Sequence, residues 1–416
     1  MRAFQNRIPA SHEGDVQGGR ARGAMEAGES RRRPFECAER PPTRTAPRRA
    51  SSLVLAAILA AASCRGGSSP ERTAQPGPAP KPPVPAVGTG RIEPAGDPIE
   101  PLRTRTYFFA PRGDLLYAGT TAGVVVWTIA DRANPSILGT AVLPGEVSSL
   151  AILGPEGKLV AAATGPTGVA LLDASSAMQG KLDVLAGGGW SSAGGCHAAW
   201  RVRAGAEGRI LVACGSAGLA EADIGDPSSP RVMRIVPAGG YVRDMAVLEG
   251  EPLRVAVAAG IAGIAIIELP AGGAPALVSR LETPGEARAI EVSGTMAFVA
   301  DGPSGLLVVD LSDPAHPAVK GSYDPHATDM ARGIAVALGR AYLCLGDSGI
   351  AFVDVTDPSS PRKAGGFDPG RAVNRVAVEG SFLYAANDDA GLLVLDVTDP
   401  ASPVQVFPSP KQADGR

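Results

Sequence analysis

The sequence predicts an all-β fold, a β-propeller of seven four-stranded blades over residues 102–407, preceded by a disordered leader and tether. Three observations predict it. A short apolar run opened by Gly recurs at Gly123, Gly168, Gly218, Gly263, Gly305, Gly349 and Gly391, with spacings of 45, 50, 45, 42, 44 and 42 residues. Each run is apolar at odd and even positions alike, so the strand it forms must be buried on both faces. Turn formers punctuate the intervals: the chain has 53 Gly and 38 Pro but only 4% aromatic residues, which suits short strands better than long helices. Four strands in roughly 40–45 residues make one propeller blade, and stacked blades explain the double-sided burial.

The N-terminal region reads as targeting. Residues 1–63 form a leader in which Arg48 and Arg49 precede the ten apolar residues Leu53 to Ala62 (LVLAAILAAA). That is about half of a bilayer-spanning helix and matches a signal-peptide core. Arg32-Arg33-Pro34-Phe35 resembles part of a twin-arginine export signal, but the apolar core lies too far downstream of it. Ala61-Ala62-Ser63-Cys64 resembles the lipobox of bacterial lipoproteins, with Ala61 where Leu is usual. The resemblance implies lipidation of Cys64, palmitate included, and a membrane partner through that lipid. Arg65 rather than Asp follows Cys64, which implies the outer membrane of a bacterial cell envelope. The alternative is an ordinary signal peptide cleaved near Ser63, with Cys64 incidental. Residues 64–101, which include AQPGPAPKPPVPAVG, read as an extended tether, and residues 408–416 as a disordered tail.

Within a repeat each part has a physical task. Gly permits positive φ in the turn before the strand. An acid ends the run, as in Asp310, Asp354 and Asp396, and can close a turn through its side chain. A proline turn follows at Asp226-Pro227, Asp313-Pro314, Asp357-Pro358 and Asp399-Pro400; Asn134-Pro135 is a weaker copy, and the second and fourth repeats lack it. The fifth repeat divides into strands at 288–293, 296–301, 306–311 and about 317–323. All seven repeats begin in the same phase, so Thr89–Ile92 is the candidate for a closing strand borrowed from the other terminus. The runs GLLVVDLSDP, GIAFVDVTDP and GLLVLDVTDP resemble the LVIVD repeat family of bacterial surface and secreted proteins. That resemblance covers about residues 105–407, implies a propeller, and brings no catalytic residues with it.

Charge and motifs narrow the function. Residues 1–49 hold eleven Arg and six acids, which leaves 28 basic and 36 acidic residues from Ala50 onward. A net charge of −8 there excludes a nucleic-acid backbone as the partner, since phosphate binding needs a basic surface. Histidine is scarce, and Cys196-His197 is not metal-ligand spacing. No Gly-rich phosphate loop, G-x-S-x-G elbow or H-E-x-x-H occurs, so no metal, cofactor or catalytic residue is expected.

Antiparallel strand order places the start of the first strand and the end of the second on one face, here called the top. Arg243, Arg288 and Arg332 match one another just before the first strand, with Asn374 in the seventh repeat. Asp301, Asp347 and Asp388 are read as matching ends of second strands, which would set Arg288 opposite Asp301 and Arg332 opposite Asp347. Two readings stay open: Arg–carboxylate pairs that lock each blade edge, or a charged ring that binds an anion or a partner loop. Cys196 and Cys214 are expected to form a disulfide in an exported protein, while Cys344 has no evident partner. The third repeat is long because of residues 186–195, where Trp190 sits among glycines. Trp190, His197, Arg243, Arg288 and Arg332 are therefore the candidates for one mouth of the channel, facing an anionic or carbohydrate partner, although Trp190 folded down into the channel is the alternative. The expectation is a monomeric, non-enzymatic binding or scaffold propeller whose partner is an envelope protein or a glycan. The rival is a periplasmic hydrolase or lyase acting on a sugar or lactone, by analogy of fold.

Overall fold

The computed structural model describes residues 105–187, 196, 198–326, 330–387 and 391–408. The leader, the tether with Cys64 and Thr89–Ile92, and Trp190, His197 and Asp388 lie outside the described residues. The described chain forms 28 strands in seven four-stranded antiparallel sheets, each built from four consecutive strands. Blades 1 to 7 span residues 106–142, 149–187, 201–236, 244–281, 289–323, 333–367 and 375–407. Blade 5 has strands Ala289–Ser293, Met296–Ala300, Leu306–Asp310 and Ala318–Tyr323, within one residue of the sequence reading. The first strand of every blade lines the central channel.

The doubly apolar runs explain the ring. In blade 5, Leu306 and Val308 pack with blade 6, while Leu307 and Val309 pack with blade 4. This is the period of two in a strand, with a neighbour on each side. Seven such clusters fill the seven blade interfaces, and the last joins Phe109, Leu116 and Val125 of blade 1 to Tyr384, Leu392 and Val394 of blade 7. Among the described residues the ring closes by this cluster and by Glu379 of blade 7, which accepts from the Gly113 N–H at 3.0 Å, not by strand exchange. No described helix is long and apolar enough to cross a membrane. A single 3₁₀ turn, Ala177–Gln179, stands in blade 2 where the proline turn is missing.

A second repeated glycine escaped the sequence reading. Gly165, Gly215, Gly260, Gly302 and Gly346 each lie three residues before the opening Gly and make a backbone bridge to the entry of the next blade, as in Gly302 with Ala331. The G-x-x-G turn thus joins strands within a blade and also staples the blade to its neighbour. The acids that end the runs close turns as expected: Asp310, Asp354 and Asp396 accept from the N–H two residues on at 2.9–3.0 Å.

All seven opening glycines have positive φ, from 74° at Gly305 to 136° at Gly123. A Cβ on Gly305 would collide with the Tyr323 carbonyl and the Pro325 ring, whereas one on Gly391 meets no described atom within 4 Å. Gly391→Ala is therefore expected to lose only backbone strain, about 1–2 kcal/mol, and Gly305→Ala about 3 kcal/mol or more because its outer strand must also shift. Urea unfolding of the two variants checks the order; equal losses would mean that the outer strand yields freely.

Candidate functional site

The repeat places one residue per blade at the top of the channel. The N–H of Ser148, Trp200, Arg243, Arg288 and Arg332 each donates to the second strand of its own blade at 2.9–3.0 Å, at Ala163, Ala213, Ala258, Ala300 and Cys344. With Tyr107 and Asn374 these residues line a mouth cavity of about 430 Å³ to which all seven blades contribute. Arg243, Arg288 and Arg332 therefore do come together. Trp200, which the sequence reading missed, holds the same place in blade 3 and is 41% exposed. Its alignment with Arg243 and Arg288 was the available signal. The Trp200 and Tyr241 rings lie 6.1 Å apart, and the Arg243 guanidinium sits 5.2 Å over Tyr241, a cation–π contact.

The expected Arg–Asp pairs do not form. Arg288 binds Glu286 through Nε at 3.0 Å and Nη2 at 2.6 Å, and Arg243 reaches the other Glu286 oxygen at 3.0 Å. Burial alone would raise the Glu286 carboxyl, but Arg288 and Arg243 outweigh it and hold the group below its ordinary value. Asp301 instead turns into its own loop, accepting from Thr283 Oγ1 at 2.7 Å and the Gly285 N–H at 2.8 Å. Its burial raises its pKa, partly offset by those bonds. Nor do the three aspartates match. The N–H of Asp301 donates to Gly305, and the equivalent donors are Leu345 and Asn387, so Asp301 aligns with those residues. Asp347 falls two residues later, exposed in the turn, without an ion pair among the described residues. The G-x-x-G bridge fixes the length of the turn before the opening Gly, so a residue two places after the strand end lies in the turn and not opposite the first strand. Arg332 donates to Asn374 Oδ1 at 3.1 Å and reaches no carboxylate among the described residues.

One residue below the mouth the channel is crossed by charge. Asp244 of blade 4, 1% exposed, accepts from Arg375 of blade 7 at 2.9 Å and lies 2.8 Å from Arg201 Nε of blade 3. Arg203 of blade 3 binds Glu291 of blade 5 at 2.6 Å, and the Arg201 guanidinium stacks 4.6 Å over Phe108 of blade 1. Burial pulls the Arg201 pKa down to about 9, which leaves it charged at neutral pH. Burial would raise Asp244, but Arg201, Arg375 and Arg203 hold it below the usual carboxylate range. Beneath this throat lies a second cavity of about 550 Å³, lined from the first strand of every blade.

Cys196 and Cys214 form a disulfide with a Cα–Cα distance of 5.1 Å, which ties the approach to blade 3 to the end of its second strand. Cys344 is free and buried, and burial pushes its thiol up to about 12, so it is not a poised nucleophile. Among the described residues no three His, Cys, Asp or Glu side chains are grouped to hold a metal.

The throat generates a prediction. Asp244→Asn leaves Arg201 and Arg375 buried without their carboxylate, an expected loss of about 3 kcal/mol at pH 7. The Asp244 pKa is depressed, so its contribution is complete above the unfolded value of about 3.9 and fades as pH falls through the lower folded value. The stability gap between wild type and variant should therefore narrow below about pH 4. Urea unfolding at pH 7, 5 and 3 measures it, and a constant gap would remove the electrostatic account.

The LVIVD repeat model matches residues 284–325, 330–368 and 370–408, which are blades 5, 6 and 7 with their leading loops. No curated protein matches the chain in sequence. Among solved structures, Sqt1 of Saccharomyces cerevisiae aligns with a TM-score of 0.55 and 11% identity over 73% of this chain and 84% of its own. The β-propeller domain of Cps50 (Swd1) from Myceliophteria thermophila aligns with a TM-score of 0.53 and 11% identity over 71% and 96%. At such identity these two show the fold alone. The chain is thus a seven-bladed β-propeller whose last three blades match the LVIVD repeat model.

Proposed function

We propose that this chain is a non-enzymatic binding or scaffold propeller that takes an anionic saccharide at its upper mouth. The carrying observation is the composition of that mouth: four guanidiniums, of which Glu286 pairs two, Asp244 holds Arg375, and Arg332 meets only an amide among the described residues, beside the exposed rings of Trp200 and Tyr241. Arginine recognises carboxylates in fixed geometry, and an exposed aromatic face offers a sugar ring a flat apolar surface. Hydrolase or lyase chemistry would want free acids or histidines converging there, and Glu286 is already held by two arginines. Immobilised oligogalacturonate should retain the protein, and a neutral dextrin should not. Trp200→Ala and Arg332→Gln should each weaken retention about tenfold, or about 1.4 kcal/mol, and added salt should weaken it further. Equal retention on dextrin, or no effect of either substitution, rejects the reading.

The envelope setting belongs to the same proposal. The signal-like Leu53–Ala62 run and the Cys64 lipobox support display from an outer membrane through acyl chains and the Pro-rich tether. Cys64→Ser should release the protein from the membrane fraction or stall its processing. Wild-type protein recovered soluble with an unmodified Cys64 would end this part of the proposal.

A further inference from the structure

We infer that the lower half of the channel is a binding cup for a small organic acid, a carboxylate on an apolar body. The cup lies beneath the Asp244 throat, on the opposite side from the mouth, so it does not depend on the saccharide reading. Its closed end is cationic. Arg201 and Arg203 line the cup with one carboxylate, Glu291, while Asp244 above them is shared between Arg201 and Arg375, which lines the mouth; among the described residues the network holds three guanidiniums against two carboxylates. Arg201 is 4% exposed at that end, and its Nη1, like Arg203 Nε, has no hydrogen-bond partner among the described residues. A buried surplus cation is costly, and one carboxylate removes the surplus. A second negative charge would meet Glu291, which selects a monoanion.

The walls select the body. Below the arginines Ile152, Val247 and Val336 present partly accessible apolar side chains to the cup, and Val247 is 36% exposed. An inorganic anion would leave that apolar wall wet, whereas an alkyl or aryl chain would cover it. A volume of about 550 Å³, with polar surface at the arginine end and apolar side chains below it, suits a small amphiphilic ligand. The residues come from first strands, whose positions the ring sets, so the cup is preformed and binding orders little of the protein.

Titration calorimetry of the full-length chain with octanoate tests the inference. One octanoate should bind per chain, and acetate and octan-1-ol should each bind at least tenfold more weakly. Arg203→Gln should weaken octanoate at least tenfold. Should that variant fail to fold, Val247→Glu decides the matter, since it adds a negative charge at an exposed position and should also abolish binding. Trp200→Ala at the mouth should leave octanoate binding unchanged while weakening retention on oligogalacturonate. The inference is overturned by no saturable octanoate binding at millimolar concentration, or by octan-1-ol binding equally, which would mean an apolar wall alone. Acetate binding equally, which would mean charge alone, or loss of octanoate binding in Trp200→Ala would overturn it as well.

Discussion

Every blade is a sheet with two apolar faces, and that single constraint governs the molecule. A sheet buried on one face can leave the other to water, but Leu306, Leu307, Val308 and Val309 are all nearly inaccessible, so blade 5 needs a neighbour on each side. The demand passes from blade to blade and is met only when the last blade packs against the first. Ring closure by side chains rather than by an exchanged strand follows from this. The cluster joining Phe109 and Leu116 to Tyr384 and Leu392 is of the same kind as the other six. The G-x-x-G bridges add backbone hydrogen bonds at the same junctions, fixing the angle at which one blade enters the next.

Closing the ring turns seven first strands toward one axis, and their side chains there have no sheet neighbour to pack on. At the level of Arg201, Asp244 and Arg375 the first strands of blades 5 and 6 carry the small buried residues Ala289 and Gly333, and Gly333 packs against Asn374 and Arg375. Asp244 binds arginines from blades 3 and 7, so an ion pair links parts of the ring that share no sheet. The pair divides the channel into an aromatic and cationic mouth and a cup whose lining is part polar and part apolar. An ion network of this kind adds little net stability over apolar packing, but it penalises any arrangement that separates its partners.

Blade 3 gathers the departures from the repeat. It carries the disulfide, both Arg201 and Arg203, and Trp200 at the mouth. It also places Glu221, 1% exposed, where other blades have an apolar residue, and pairs it with Arg209 at 2.9 Å and with Arg234. A buried carboxylate is tolerable there because two guanidiniums accompany it. The other blades keep the repeat more closely, and blade 3 supplies much of the charge and aromatic surface that distinguishes the channel.

The sequence by itself determined the blade. The period, the opening Gly, the doubly apolar run, the terminal Asp and the proline turn are local features, each acting within a few residues, and local physics decides φ at Gly305 or the turn at Asp310. It also placed Arg243, Arg288 and Arg332 at one level, because a repeat converts position in the chain into position on the ring. What it left undecided is who touches whom across the axis. Arg288 chose Glu286 over Asp301, since Glu286 enters the mouth on the same segment while Asp301 is drawn into its own loop. Asp244 and Arg375 lie 131 residues apart and meet only because the ring brings blades 4 and 7 face to face. Contacts between side chains of different blades depend on the closed ring, and a ring is a property of all seven sheets at once, which no single repeat encodes.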